Sequence, residues 1–354
     1  MKKIIALVTA ACMCLALLAS CNDNAPRDVM SIEGGNSLSI NYIYLLTSIQ
    51  KSMYYSMIAE YGNDWNAVAN TRTGETFADM LKKMTYSYAS SSLICEYLFD
   101  KEYKISFTEE DAASLDSQMS ALEANAGSKQ ALEEKLSTYG ADFASLERYL
   151  KISIKQAKII DYLYGEEGTV EIPEEKMKEY FKDNYAIVTH IYFNVPATQK
   201  EDGTYVSPSK EDKENKKRIA DEVFERIIGG EDFYALKEEY NEDVYESQYY
   251  PEGFFVTNDN TFPAEFTSAA MEMDEGEYRM AETNSENGYS IHIIHKLPMK
   301  AELYNTNLQV YQNIYGMLET ENFQNLIGSY AELIKADEEA LSAIDVNVVP
   351  EFSL

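Results

Sequence analysis

Apolar residues recur every third or fourth position through most of the first half of the chain. Ile40, Ile43, Tyr44, Leu46, Ile49, Met53, Met57 and Ile58 form one such stripe and predict a buried helical face beginning at Ser39. A second helix is predicted over 76–101 on Met80, Met84, Tyr88, Leu93, Tyr97 and Leu98. Thr108-Glu109-Glu110-Asp111 has the form of a capping box and opens a third over 109–124. A fourth covers 129–138 and stops at Gly140. A fifth covers 143–164 on Leu146, Leu150, Ile154, Ala157, Ile160 and Leu163. Pro173, which suits a first helical position, leads into a sixth over 174–184. The stretch 39–185 therefore reads as helical throughout, without the repeat that an α-solenoid requires.

Near residue 185 the pattern changes. Ala-Ile-Val-Thr-His-Ile-Tyr-Phe-Asn-Val over 186–195 is apolar, β-branched and aromatic, and predicts a strand. A helix over 218–228, with Val223, Phe224, Ile227 and Ile228, closes at Gly229-Gly230. Glu231-Asp232-Phe233-Tyr234-Ala235-Leu236 starts a short helix that runs into Glu239-Tyr240-Asn241-Glu242-Asp243. After a turn-rich middle and Pro263-Ala264-Glu265-Phe266, a second strand returns through Gly288-Tyr289-Ser290-Ile291-His292-Ile293-Ile294. The segment 196–217, rich in charges with Gly, Pro and Ser, reads as an exposed loop. A last helix is predicted over 303–334 and a short strand over 346–349. All three histidines, His190, His292 and His295, fall on the two central strands.

This order resembles the parvulin class of peptidyl-prolyl isomerases: a strand with a histidine, a helix ending Gly-Glu-Asp-Phe, Glu-Tyr-x-x-Asp, Pro-x-x-Phe, then Gly-Tyr followed by His-Ile-Ile. The resemblance covers about a third of the chain. Leu136-Ser137-Thr138-Tyr139-Gly140 and Glu171-Ile172-Pro173-Glu174-Glu175, leading to Glu179-Tyr180-Phe181, resemble the chaperone domain of extracytoplasmic foldases that carry a parvulin module. The implied class is α+β. It has an all-α chaperone-like domain (21–183), an inserted parvulin-like domain with a small antiparallel sheet surrounded by helices (184–298), and a C-terminal helix and strand (299–354) packing back on the first. The resemblance also implies a client-holding cleft, for which exposed Tyr and Met would supply adaptable contact, although at helical spacing such residues are usually core.

The first twenty residues predict a signal peptide. Lys2 and Lys3 precede the apolar run 4–18, and Leu18-Ala19-Ser20-Cys21 looks like a bacterial lipobox that would place a lipid on Cys21. An ordinary secretory signal with a coincidental cysteine is the alternative; the polar run Asn22-Asp23-Asn24 favours the lipoprotein. The anchor would hold the chain on the extracytoplasmic face of the bacterial cell membrane. The mature chain of 334 residues, longer than a usual single domain, would carry 28 basic against 60 acidic residues, a balance that excludes nucleic acid as a main partner. Its one remaining thiol, Cys95, sits among Leu93, Ile94, Leu98 and Phe99 and reads as buried and inert, so no internal disulfide supports the fold.

Rotation about an X-Pro bond has a barrier near 18–20 kcal/mol and takes tens to hundreds of seconds unaided. Catalysis needs no cofactor or metal, only an apolar pocket for the ring and polar groups that favour the twisted amide. The resemblance assigns His190, Asp243 and His292 as catalytic and Phe262 and Phe266 as the proline-gripping wall. It departs from the family at two points. The glycine-rich turn is reduced to Tyr250-Pro251-Glu252-Gly253, without a counterpart to the family's pocket leucine. His292 also follows Gly288 by four residues instead of two, though strand parity keeps it on the same face. His295 points the other way. His190 could instead be structural, and Asp243 could merely begin a turn. A His190/His292/Asp243 metal site is conceivable by ligand type, but no ligand-spaced pair supports it. The expected partners are unfolded exported proteins with X-Pro bonds. A holdase with an inactive module is the alternative; a solute-binding lipoprotein is disfavoured by the long α-only half.

Overall fold

A computed structural model describes residues 26–353, apart from 202, 260, 261, 286 and 287. The chain mixes helices with small antiparallel sheets and divides into two compact units. One is continuous over Glu171–Thr320; the other runs to Val170 and resumes at Glu321. Residues 1–25, with the predicted signal peptide and Cys21, lie outside the described residues.

The first unit opens with a hairpin of β1 (Asp28–Ile32) and β2 (Ser37–Ser39), then α1 (Ile40–Met53) and α2 (Tyr55–Ala59). A polar hairpin follows, β3 (Val68–Asn70) and β4 (Glu75–Thr76), which corrects the expectation of helix throughout. The Asn70 side chain accepts from the Arg72 and Thr73 amides at 3.0 and 3.4 Å, so an Asx turn interrupts the helical pattern. The next helices are α3 (Phe77–Tyr97), α4 (Glu109–Ala126), α5 (Lys129–Thr138) and α6 (Phe143–Tyr164). Side-chain caps set their starts: Thr76 with Asp79, Thr108 with Asp111, Ser128, and Asp142. Leu45, Leu115, Leu132, Leu136 and Leu146 pack between them. Cys95 is buried within α3, which pushes its thiol up to about 12, away from nucleophilic use.

In the second unit α7 (Glu174–Asn184) leads into β5 (Ala186–Pro196). The short β6 (Thr198–Gln199) and β7 (Tyr205–Val206) pair, and α8 (Lys210–Ile228) follows. The helix thus begins eight residues before its predicted start and takes up the end of the supposed loop. Ser209 caps it, and the pairs Lys210–Glu214, Lys217–Asp221 and Arg218–Glu222 support a first half that has no apolar stripe to betray it. Then come α9 (Phe233–Tyr240), α10 (Glu246–Tyr249), β8 (Phe254–Val256), α11 (Ala264–Glu272), β9 (Tyr278–Ser285) and β10 (Gly288–Lys296). The sheet order is β8-β5-β10-β9, antiparallel throughout. β5 and β10 pair without interruption from Pro196–Gly288 to Val188–Lys296. On one face Ala186, Val188, Phe254 and Ile294 pack against Phe266, Ala269 and Ala270 of α11. On the other, Ile191, Phe193, Ile291 and Ile293 pack against Val223, Ile227, Phe233 and Leu236 of α8 and α9.

The last long helix, α12 (Leu308–Ser329), is shorter than predicted, with 3₁₀ turns at Ala301–Asn305 and Ala331–Leu333 on either side. β11 (Ile334–Ala336) then adds to β1, and α13 (Glu338–Ser342) follows. The predicted strand over 346–349 is a turn instead. Asp345 accepts from the Asn347 amide at 2.9 Å, and burial of Val346 and Val349 with Val348 exposed follows a three-residue spacing that a strand does not have.

Candidate functional site

β8 is short and pairs only with Ala186, Ile187 and Val188. Beyond that point the edge of β5 is bare, and the loop after α9 covers it. The Tyr192 amide donates to Asn241 Oδ1 at 2.7 Å, the Glu242 amide to the Tyr192 carbonyl at 2.9 Å, and the Asn194 amide to Glu242 Oε2 at 2.6 Å. Two residues with no strand assignment thereby satisfy a strand edge and carry Asp243 to His190. Asp243 Oδ2 lies 3.1 Å from His190 Nε2, while Oδ1 accepts from the Tyr245 amide at 2.8 Å at the head of α10. The His190 hydrogen bond, aided by that amide and opposed by burial, holds the Asp243 carboxyl down at about 2.

His292 sits diagonally across from His190 on the neighbouring strand, because Ile294 opposes His190 and His292 opposes Tyr192. Their Nδ1 atoms are 3.2 Å apart. His292 Nε2 is 3.3 Å from Ser290 Oγ, which is 2.6 Å from Thr283 Oγ1. Burial, reinforced by repulsion from His190, pushes His292 down to about 3. The chain of contacts orders its protons. A carboxylate only accepts, so His190 Nε2 carries hydrogen; a His190 with that hydrogen alone accepts at Nδ1 from His292, whose Nε2 accepts from Ser290. A second proton on His190 would reverse every step from its Nδ1 onward.

The rings around this pair are apolar. Phe266 meets His190 and His292 edge-on at 5.8 and 5.1 Å, and Phe254 lies 5.1 Å from His190. Phe262 is partly buried against both phenylalanines, at 5.4 Å from Phe254 and 5.0 Å from Phe266. Phe266 itself is only 1 % exposed and acts as packing between α11 and the sheet; of the two predicted wall rings, Phe262 is the one that reaches solvent. Tyr192 stacks beside His190 at 5.7 Å. In the reduced turn Gly253 adopts a φ of +94°, and a Cβ there would stand 2.7 Å from the Val188 carbonyl oxygen, so glycine is required. His295 lies on the opposite face, stacked on Tyr278 at 4.4 Å.

The sequence reading missed Tyr192, Asn241, Ser290 and Thr283, and also Glu246 and Lys237. Glu246 is 3 % exposed; one carboxylate oxygen accepts from Thr189 Oγ1, and the other is 2.6 Å from Lys237 Nζ and 3.7 Å from His190 Nε2. Strand parity could have found Tyr192 and Ser290, each two residues from a histidine. Nothing local announces Glu246 or Lys237. One donor atom each from His190, Asp243 and Glu246 lie within 4.8 Å of one another, close enough to share a cation.

Among the solved structures that the chain matches are bacterial foldases and peptidyl-prolyl isomerases. They include PrsA from Bacillus subtilis (18% identity, TM-score 0.25, covering 80% of this chain and 94% of that one). A second is the foldase protein PrsA from Lactococcus lactis (14%, 0.29, 91% and 99%), and a third the peptidylprolyl isomerase PrsA from Bacillus cereus (21%, 0.27, 78% and 96%). No family model and no curated protein matches the chain. Likeness at this level leaves the site to be read from its own geometry.

Proposed function

We propose that this protein is a lipid-anchored extracytoplasmic foldase whose second unit isomerises X-Pro bonds in unfolded exported proteins. The observation that carries the reading is the continuous contact chain Asp243–His190–His292–Ser290 on one sheet face, walled by Phe254, Phe262 and Phe266. The planar amide is more dipolar than the twisted one, so an apolar, desolvated surface disfavours the ground state relative to the top of the barrier. Burial keeps the His292 imidazole uncharged, and the Asp243 carboxylate fixes the hydrogen on His190 Nε2. The face can serve this reaction with no nucleophile and no covalent intermediate.

The test is isomerisation of a short X-Pro peptide by the protein in chelator-containing buffer. Wild type is expected to exceed buffer clearly, and Asp243→Ala or His190→Ala to lose at least tenfold of the excess. The burial of Phe266 favours one other reading, a holdase whose module binds clients without turnover. Wild-type rates equal to buffer, with client aggregation still suppressed, would select it. The anchor is a separate step: labelling with a lipid precursor should mark wild type and spare Cys21→Ala.

A further inference from the structure

We propose that His190, Asp243 and Glu246 form a binding site for a divalent transition-metal cation of the zinc type. His190 Nε2 stands 3.1 Å from Asp243 Oδ2 and 3.7 Å from Glu246 Oε2. Ligand atoms around a tetrahedral zinc ion stand about 3.3–3.5 Å apart, so small side-chain movements would bring these three to bonding distance. One imidazole and two carboxylates favour zinc and its neighbours over magnesium or calcium, which prefer oxygen alone.

The second atom of each donor group is already tied down. His190 Nδ1 contacts His292, Asp243 Oδ1 accepts from the Tyr245 and Glu246 amides, and the distal oxygen of Glu246 accepts from Thr189. Such outer contacts aim ligands, and His292 Nδ1 stands ready to accept the hydrogen that His190 would carry at Nδ1 once a metal took its Nε2. Glu246 Oε2 is buried and accepts no hydrogen bond of good geometry. The Lys237 ammonium stands 2.6 Å away and neutralises it without such a bond. A cation at this point would take the place of that ammonium and satisfy two carboxylates at once. It would also occupy the nitrogen whose proton Asp243 otherwise accepts, reversing the order of the contact chain. If the isomerase reading holds, occupation would silence the site; binding itself does not depend on that reading.

The experiment is calorimetric titration of the full chain with Zn²⁺, without peptide, beside side-chain ¹⁵N spectra of the three histidines. One equivalent is expected to bind with a shift of His190 Nε2. Glu246→Gln and Asp243→Asn should each weaken binding at least tenfold, and Lys237→Met should tighten it. Zinc that leaves the His190 Nε2 resonance unmoved in wild type, or binds folded Glu246→Gln and Asp243→Asn as tightly as wild type, overturns the proposal. The spectrum is read on the unaltered protein, so a variant that misfolds does not blunt the test. An inactive isomerase that still binds zinc at His190 separates the two readings.

Discussion

Burial and a neighbouring imidazole both oppose a proton on His292, which takes one only at about 3 when folded. In the unfolded chain it does so near 6.5. The unfolded state therefore binds more protons between those values. The His292 contribution is complete above about pH 6.5 and declines as pH falls toward 3, at up to about 1.4 kcal/mol per pH unit. Asp243, held down at about 2 against an ordinary value near 3.9, adds stability above 3.9 that is lost only as pH falls toward 2. Urea midpoints followed by circular dichroism from pH 7 to 4 should thus fall more steeply for wild type than for His292→Phe; parallel curves would exclude a neutral buried His292. A second expectation concerns backbone. Gly253→Ala must place a methyl 2.7 Å from the Val188 oxygen at a positive φ, and should cost about 1–3 kcal/mol in the same assay. The histidine pair was legible because strand parity alone decides which residues share a face. Glu246 and Lys237 were not, since their approach depends on β8 beginning only at Phe254, opposite Val188, and leaving β5 an edge to cover.

That edge is an element-scale device. Asn241 replaces part of a strand: its oxygen accepts the Tyr192 amide at 2.7 Å and its nitrogen donates to the Asp243 carbonyl at 2.9 Å. Asn241→Ala leaves the Tyr192 N–H without its partner, at a cost of about 1–3 kcal/mol, and loosens the carboxylate that orders His190. Hydrogen exchange at the Tyr192 amide should accelerate at least tenfold, with isomerisation falling in parallel; unchanged exchange would mean that the loop is held by other contacts. Regular elements with an apolar stripe and a clear start signal, a capping side chain before α5 and α6 and Pro173 before α7, were readable to the residue. The first half of α8 was not, because its support comes from charged pairs on an exposed surface, and the short strands β3, β4 and β8 carry too few residues to show a period. The tail at 346–349 misled for a related reason: valines favour strands, but Asp345 turned the chain first.

At the scale of the whole molecule, the first and last described segments close one unit. β11 pairs with β1 from Met30–Ala336 to Ile32–Ile334. Val346 fills a core with Ile58, Trp65, Phe77 and Leu81. The buried Lys51 ammonium donates to the Val346 and Val349 carbonyls at 3.0 and 2.6 Å, and Tyr139 Oη to the Ser353 carbonyl at 2.9 Å. Ending the chain after Tyr330 would remove all of these and strand the Lys51 charge without acceptors. Loss of three buried side chains, Ile344, Val346 and Val349, costs about 5–9 kcal/mol by itself, comparable with the whole stability of a domain. The residues Glu171–Thr320 contain none of these contacts and hold His190, Asp243 and His292 together on their own sheet. The truncated chain is therefore expected to unfold in its first unit, with cleavage there at low protease, while isomerisation of a short peptide persists. A single cooperative loss of both would show that the second unit depends on the first for its stability, and that pairing those segments protects the site as well as the scaffold.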